Sequence, residues 1–116
     1  MRAELTKTFA FSACHTVAGK VLGRNYLLGI SVEWEAETPE KKLSDVVHRE
    51  IISKVHTRDL DENVDFLGKT AVLDDVSLLK AFWGRLSGPL SEFRVHKLTL
   101  QRDSQTSTAY WPDVSK

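Results

Sequence analysis

The chain has 116 residues and a mass of 13.1 kDa, and its 16 Lys and Arg balance its 16 Asp and Glu to a formal net charge of zero. A chain of this length builds one core, so residues 1–116 are expected to form a single domain. With no basic excess to neutralise phosphates, nucleic acid is excluded as an expected partner. Cys14 has no second cysteine to pair with, and no apolar run approaches the roughly 20 residues of a membrane span. The N-terminus Met1-Arg2-Ala3-Glu4 lacks the apolar segment of a signal peptide, which makes the expected location cytoplasmic. A pI near 6.9 favours self-association, and a permanent oligomer accommodates it.

From Glu4 to Phe11, Leu5, Lys7, Phe9 and Phe11 alternate with Thr6, Thr8 and Ala10, the period of a half-buried strand. A second strand is expected from Asn25 to Glu37, where Ile30, Val32 and Trp34 alternate with Ser31, Glu33 and Glu35, and Pro39 ends it. Gly19, Gly23 and Asn25 would form the short connection of a hairpin. Trp34 is a candidate for a surface between subunits.

Two helices follow. Ser44 reads as an N-cap and Asp45 as a first-turn acid, with Val47, Ile51 and Val55 at four-residue spacing. The second helix starts at Asp74 or Asp75, carries Leu78, Leu79, Phe82, Trp83 and Leu86 on one stripe, and ends at Gly88-Pro89. The polar stretch from Thr57 to Leu73 reads as an ordered loop. Its acidic run Asp59 to Asp65 lacks the spaced glycine and terminal glutamate of a calcium loop. Alternation returns over Phe93 to Arg102, with Thr106 to Trp111 as a hairpin partner. The order β-β-α-α-β-β predicts an α+β fold, with two helices on one face of a four-stranded antiparallel sheet. Such a sheet leaves two edges unpaired, and closing several into a ring would remove them.

The segment Phe9-Ala10-Phe11-Ser12-Ala13-Cys14-His15 resembles the F-x-F-x-A-x-H signature of the 6-pyruvoyltetrahydropterin synthase and 6-carboxytetrahydropterin synthase family. Gly23-Arg24-Asn25-Tyr26 is similar to the family's H-G-H-N-Y. Val55-His56-Thr57-Arg58-Asp59-Leu60-Asp61 is similar to its L-D-H-x-x-L-D, and Tyr110 to the tyrosine of its last strand. The resemblance implies a tunnelling fold (T-fold), in which trimers form a twelve-stranded barrel and two trimers stack as a hexamer. It also implies a zinc site whose first histidine would be His15.

The departures bear on chemistry. The other two zinc histidines of the family correspond to Leu22 and Arg24; leucine cannot ligate, and a guanidinium places a fixed charge where the cation would sit. No metal or other cofactor is therefore expected. The family's cysteine corresponds to Ala18, and its Asp and His partners to His56 and Thr57, so no catalytic residue is assigned and the synthase reaction is not expected. Cys14 precedes His15 and belongs to the opposite strand face. The pterin-anchoring glutamate corresponds to Arg102, whose fork favours a carboxylate or carbonyl edge; a one-residue slip would bring Asp103 there instead.

The resemblance thus implies a degenerate synthase homologue with a pocket between subunits for a pterin-like heterocycle, lined by His15, Arg24, His56, Thr57, Ser77, Arg102 and Asp103. Each has a plainer reading. His15 would be a hydrogen-bonded strand residue and His56 a helix-end histidine favoured by the dipole, while His48 and His96 would face solvent or an interface. Two other functions stay open: metal-free chemistry on a related ring with His56 as general base, and a structural oligomer with a vestigial site.

Overall fold

The computed structural model describes residues 3–17, 20–33, 40–56, 58–59, 75–102 and 105–112, with backbone alone for 15–17, 20–22 and 58–59. Strands β1 (Glu4–Val17) and β2 (Lys20–Glu33) pair antiparallel in one unbroken register, from Glu4 opposite Glu33 to Val17 opposite Lys20. Next come helix α1 (Glu40–Val47), a π-helical turn (His48–Ile52), helix α2 (Ser53–Val55), strand β3 (Arg58–Asp59) and helix α3 (Asp75–Leu86). Strands β4 (Val95–Gln101) and β5 (Ser107–Tyr110) close the chain. The sheet order is β3-β1-β2-β4-β5, so the expected four antiparallel strands are present, with β3 added at the edge of β1.

Alternation divides the sheet into two faces. Phe9, Phe11 and Ala13 of β1, Tyr26, Leu28, Ile30 and Val32 of β2, and Leu98 and Leu100 of β4 are buried on one face. Against it pack Leu43, Val46, Val47, Ile51, Ile52 and Val55 from the first helical segment, and Leu78, Leu79, Phe82 and Leu86 from α3. Phe11 stacks on Tyr26 at 4.9 Å and meets the edge of Phe82 at 6.1 Å, tying the central strands to α3. Trp83 is half-buried against this core. The other face carries mostly small and polar residues, Thr6, Thr8, Ala10 and Ser12 on β1, Asn25 on β2, Thr99 and Gln101 on β4, together with the exposed Leu27 of β2. There Thr6 and the buried Ser31 join hydroxyls across the strands at 2.7 Å. Among the described residues no helix is long and apolar enough to cross a membrane.

Several boundaries depart from expectation. β1 continues six residues past Phe11 and β2 begins at Lys20, five residues before the expected start at Asn25, so Gly23 is a strand residue; Gly19 lies outside the described residues. The sequence of the extension, Ser12 to Val17, has few large apolar residues, yet the backbone pairing with β2 continues through it. β2 is described only to Glu33, and Trp34 and Pro39 lie outside the described residues. The first helix begins at Glu40, placing Ser44 inside it. At its centre the Ser53 N–H reaches the His48 carbonyl, five residues back, while the Ser53 hydroxyl donates to the Arg49 carbonyl at 2.9 Å. Within the stretch read as a loop from Thr57 to Leu73, Arg58 and Asp59 pair in parallel with Ala13 and Cys14.

In β4 the alternation changes phase. Ser31 opposes Lys97 and Val32 opposes Val95, leaving His96 as the extra residue of a β-bulge. The bulge brings Val95 to the same face as Leu98 and Leu100. His96 meets the Glu4 carboxylate at 3.0 Å, and His48 is exposed, with its ring at right angles to Phe9.

Candidate functional site

Where the first helical segment ends, His56 leaves helical geometry (φ −63°, ψ 127°) and its ring swings back to the edge of β1. The Ser12 backbone N–H donates to His56 Nδ1 at 3.0 Å, immediately before β3 takes over pairing at Ala13. Directly across the ladder, the Ser12 hydroxyl donates to Asn25 Oδ1 at 2.5 Å. Two residues on, Ala10, Leu27 and Gln101 form a row across three strands. These side chains, with Phe11, Tyr26 and Arg102, surround a cavity of about 400 Å³. This volume suits a small bicyclic ligand.

Arg102 also joins a charged cluster at the N-terminus of α3. Arg102 Nε stands 3.2 Å from Asp75 Oδ2, and the Thr108 hydroxyl donates to the same oxygen at 3.4 Å. Asp75 occupies the first turn of α3, where the helix dipole favours a carboxylate. Burial raises the Tyr26 phenol above its ordinary value of 10.0; Arg24 opposes that shift, Asp75 adds to it and Arg102 opposes it. The phenol therefore stays neutral throughout the physiological range.

The backbone geometry matches solved structures across nearly its whole length. Against 6-pyruvoyl tetrahydropterin synthase of Caenorhabditis elegans, the alignment covers 97% of each chain with a TM-score of 0.69 at 19% identity. The fold is that of a 6-pyruvoyl tetrahydropterin synthase. A catalytic-residue mutant of the Plasmodium vivax synthase aligns over 95% of this chain and 97% of its own, with a TM-score of 0.61 at 12% identity. An uncharacterized protein from Wolinella succinogenes aligns over 97% and 99%, with a TM-score of 0.59 at 10% identity. No family profile matches the chain, and no curated protein matches its sequence.

Within the synthase fold the expected site residues divide. His56 and Arg102 line the cavity. Arg24 lies two residues before Tyr26 on β2 and acts on its phenol, and it is not among the cavity's described lining. Ser77 is half-buried in the first turn of α3, two residues after Asp75. Only the backbone of His15 is described, opposite Leu22; Thr57 and Asp103 lie outside the described residues, as does Ala18. The register pairs His15 with Leu22 in one ladder row and puts Arg24 two rows away, opposite Ala13, and this donor set, one imidazole with an alkyl chain and a guanidinium, does not fit a three-histidine zinc centre. Among the described residues, no group of three or more His, Cys, Asp or Glu side chains could hold a metal.

Sequence reasoning missed Ser12, Asn25, Gln101 and Asp75. Asn25 stood within a segment similar to a family motif and at the expected start of the second strand, but a first strand expected to end at Phe11 left nothing to place it across from Ser12. Asp75 was legible as a helix-start acid, though not as the partner of Arg102, because that pairing joins residues 27 positions apart in sequence.

Proposed function

We propose that this chain is a homologue of the pterin synthases that binds a flat, pterin-like heterocycle without performing the zinc-dependent synthase reaction. The observation that carries this reading is the cavity lined by Ser12, Asn25, Tyr26, His56 and Arg102, which lies beside apolar surface from Ala10, Phe11 and Leu27. An apolar floor with a few convergent polar groups is the usual build of a small-molecule site. The donor set around His15, Leu22 and Arg24 supports a zinc-free protein, and a pocket completed by a neighbouring subunit follows from the same reading.

His56 as a general base is the weaker alternative. Its Nδ1 lone pair already accepts the Ser12 N–H, so a neutral ring carries its proton on Nε2 and has no lone pair free to take another. A purely structural role is separated by experiment. Thermal-shift measurement with a panel of pterins and purines should raise the unfolding midpoint for at least one ring, as ligand binding to the native state requires. A flat response across the panel would refute ring binding and leave the structural oligomer. Elemental analysis of purified protein should find zinc well below one atom per chain, and stoichiometric zinc would overturn the zinc-free reading.

A further inference from the structure

The hydrogen-bond directions around the cavity determine what its remaining polar groups can offer. His56 accepts from Ser12 N–H at Nδ1, which leaves Nε2–H, a donor. Asn25 accepts the Ser12 hydroxyl at Oδ1, which orients its amide NH₂ as the group left to serve a ligand. Arg102 can only donate, and its contact with Asp75 is made through Nε. No carboxylate belongs to the cavity's described lining. Three side chains on three separate elements therefore present donors toward one apolar-floored space of about 400 Å³.

We propose that this cavity selects flat rings presenting an acceptor edge, an oxo pair or a carboxylate, over rings presenting an amino edge. The inference rests on the ring-binding reading above and specifies its ligand class. An exocyclic amine brought against Asn25 NH₂, His56 Nε2–H and the Arg102 guanidinium would set donor against donor, and each of these groups would lose the hydrogen bond that an acceptor supplies. A ring oxygen at the same place receives charge-assisted hydrogen bonds from the guanidinium and neutral ones from the amide and imidazole.

Two commercially accessible rings test this feature: pteridine-2,4-dione (lumazine) and 2-aminopteridin-4-one (pterin) differ in the oxygen or amine at C2, a change that also makes N1 an N–H in lumazine and an acceptor in pterin. Fluorescence titration of the full chain at neutral pH should show lumazine binding about two- to tenfold tighter than pterin, the net scale of one ordinary hydrogen bond gained or lost. Asn25→Asp is isosteric and keeps an oxygen for the Ser12 hydroxyl, yet replaces the donor with a carboxylate; it should abolish the preference chiefly by weakening lumazine. Arg102→Gln, which retains an amide donor and removes the charge, should weaken lumazine with less effect on pterin, and it serves as the second arm should Asn25→Asp fail to fold. Pterin binding as tightly as lumazine, or a preference that survives both substitutions, would overturn the proposed selectivity while leaving ring binding intact. Binding of neither ring at millimolar concentration would overturn both readings.

Discussion

Tyr26 sits where the core meets the candidate site, with one ring face on Phe11 and its phenol among Arg24, Asp75 and Arg102. Because its folded pKa is raised above 10.0, the neutral phenol contributes stability that is fully present below about pH 10 and is lost as the pH climbs through the raised value. Denaturant midpoints measured across the alkaline range should fall for the parent chain and fall less steeply for Tyr26→Phe. Gly29 is a different case of a single residue under constraint. A Cβ built there would collide with the Thr99 hydroxyl directly across the β2–β4 ladder. Gly29→Ala should cost about 1–3 kcal/mol by overpacking, and a double-mutant cycle with Thr99→Ala should return part of that loss. At this scale the sequence revealed chemistry better than partners. The Arg102 guanidinium and the His56 imidazole were legible as pocket groups, whereas Ser12 and Asn25 looked like ordinary polar strand residues until the ladder placed them opposite each other.

The helical elements are tied to one another by Glu50, whose carboxylate receives Arg49 Nε on one oxygen and stands 2.9 Å from Arg85 Nε of α3 on the other. The Arg49 hydrogen bond is the largest influence holding Glu50 below its ordinary 4.5, with Arg85 adding to it. A depressed carboxylate stabilises the fold above its unfolded pKa, so this contribution is present above about pH 4.5 and is lost as the pH falls through the lowered value. Glu50→Gln should cost about 1 kcal/mol at neutral pH, given how exposed Arg49 is, and should flatten the acid limb of a pH–stability curve. Periodicity located every element except β3, and it misjudged where they stop. Strand β1 outlasts its large apolar residues because pairing with β2 continues regardless of side-chain size. The bulge at His96 shifts the phase of β4, so Val95 and Leu98, three apart in sequence, share a face. No short-range sequence signal announces the π turn, which sets Ile51, Ile52 and Val55 against the same core as Val47.

For the whole molecule, order and layering followed from the pattern of strands and helices, and the solved structures of 6-pyruvoyl tetrahydropterin synthases share that arrangement at identities of 12–19%. What the pattern could not supply is what covers the face opposite the helices. Leu27 is 41% exposed there, and the outer edge of β1 from Glu4 to Ser12 has no strand neighbour among the described residues. An open β edge of this length on a chain of zero net charge invites pairing with another copy. Light scattering coupled to size exclusion should return six times 13.1 kDa, the hexamer expected of the family resemblance. A 13.1 kDa particle would remove the subunit-interface part of the proposed function and leave the pocket within one chain to be tested alone.

The unbroken pairing of β1 with β2 also sets how local the contacts of the sheet are. Fourteen residues of strand span about 46 Å, close to the longest molecular dimension of 49 Å, so one hairpin defines the long axis. Its innermost pair, Val17 and Lys20, is three residues apart, and every later pair adds to a closed end at little further cost in loop entropy. Strand β4, by contrast, finds β2 across some seventy residues of intervening chain. The hairpin is thus closed by local contacts, whereas the cavity, which needs β4 and the helix end as well, depends on pairings between parts of the chain far apart in sequence.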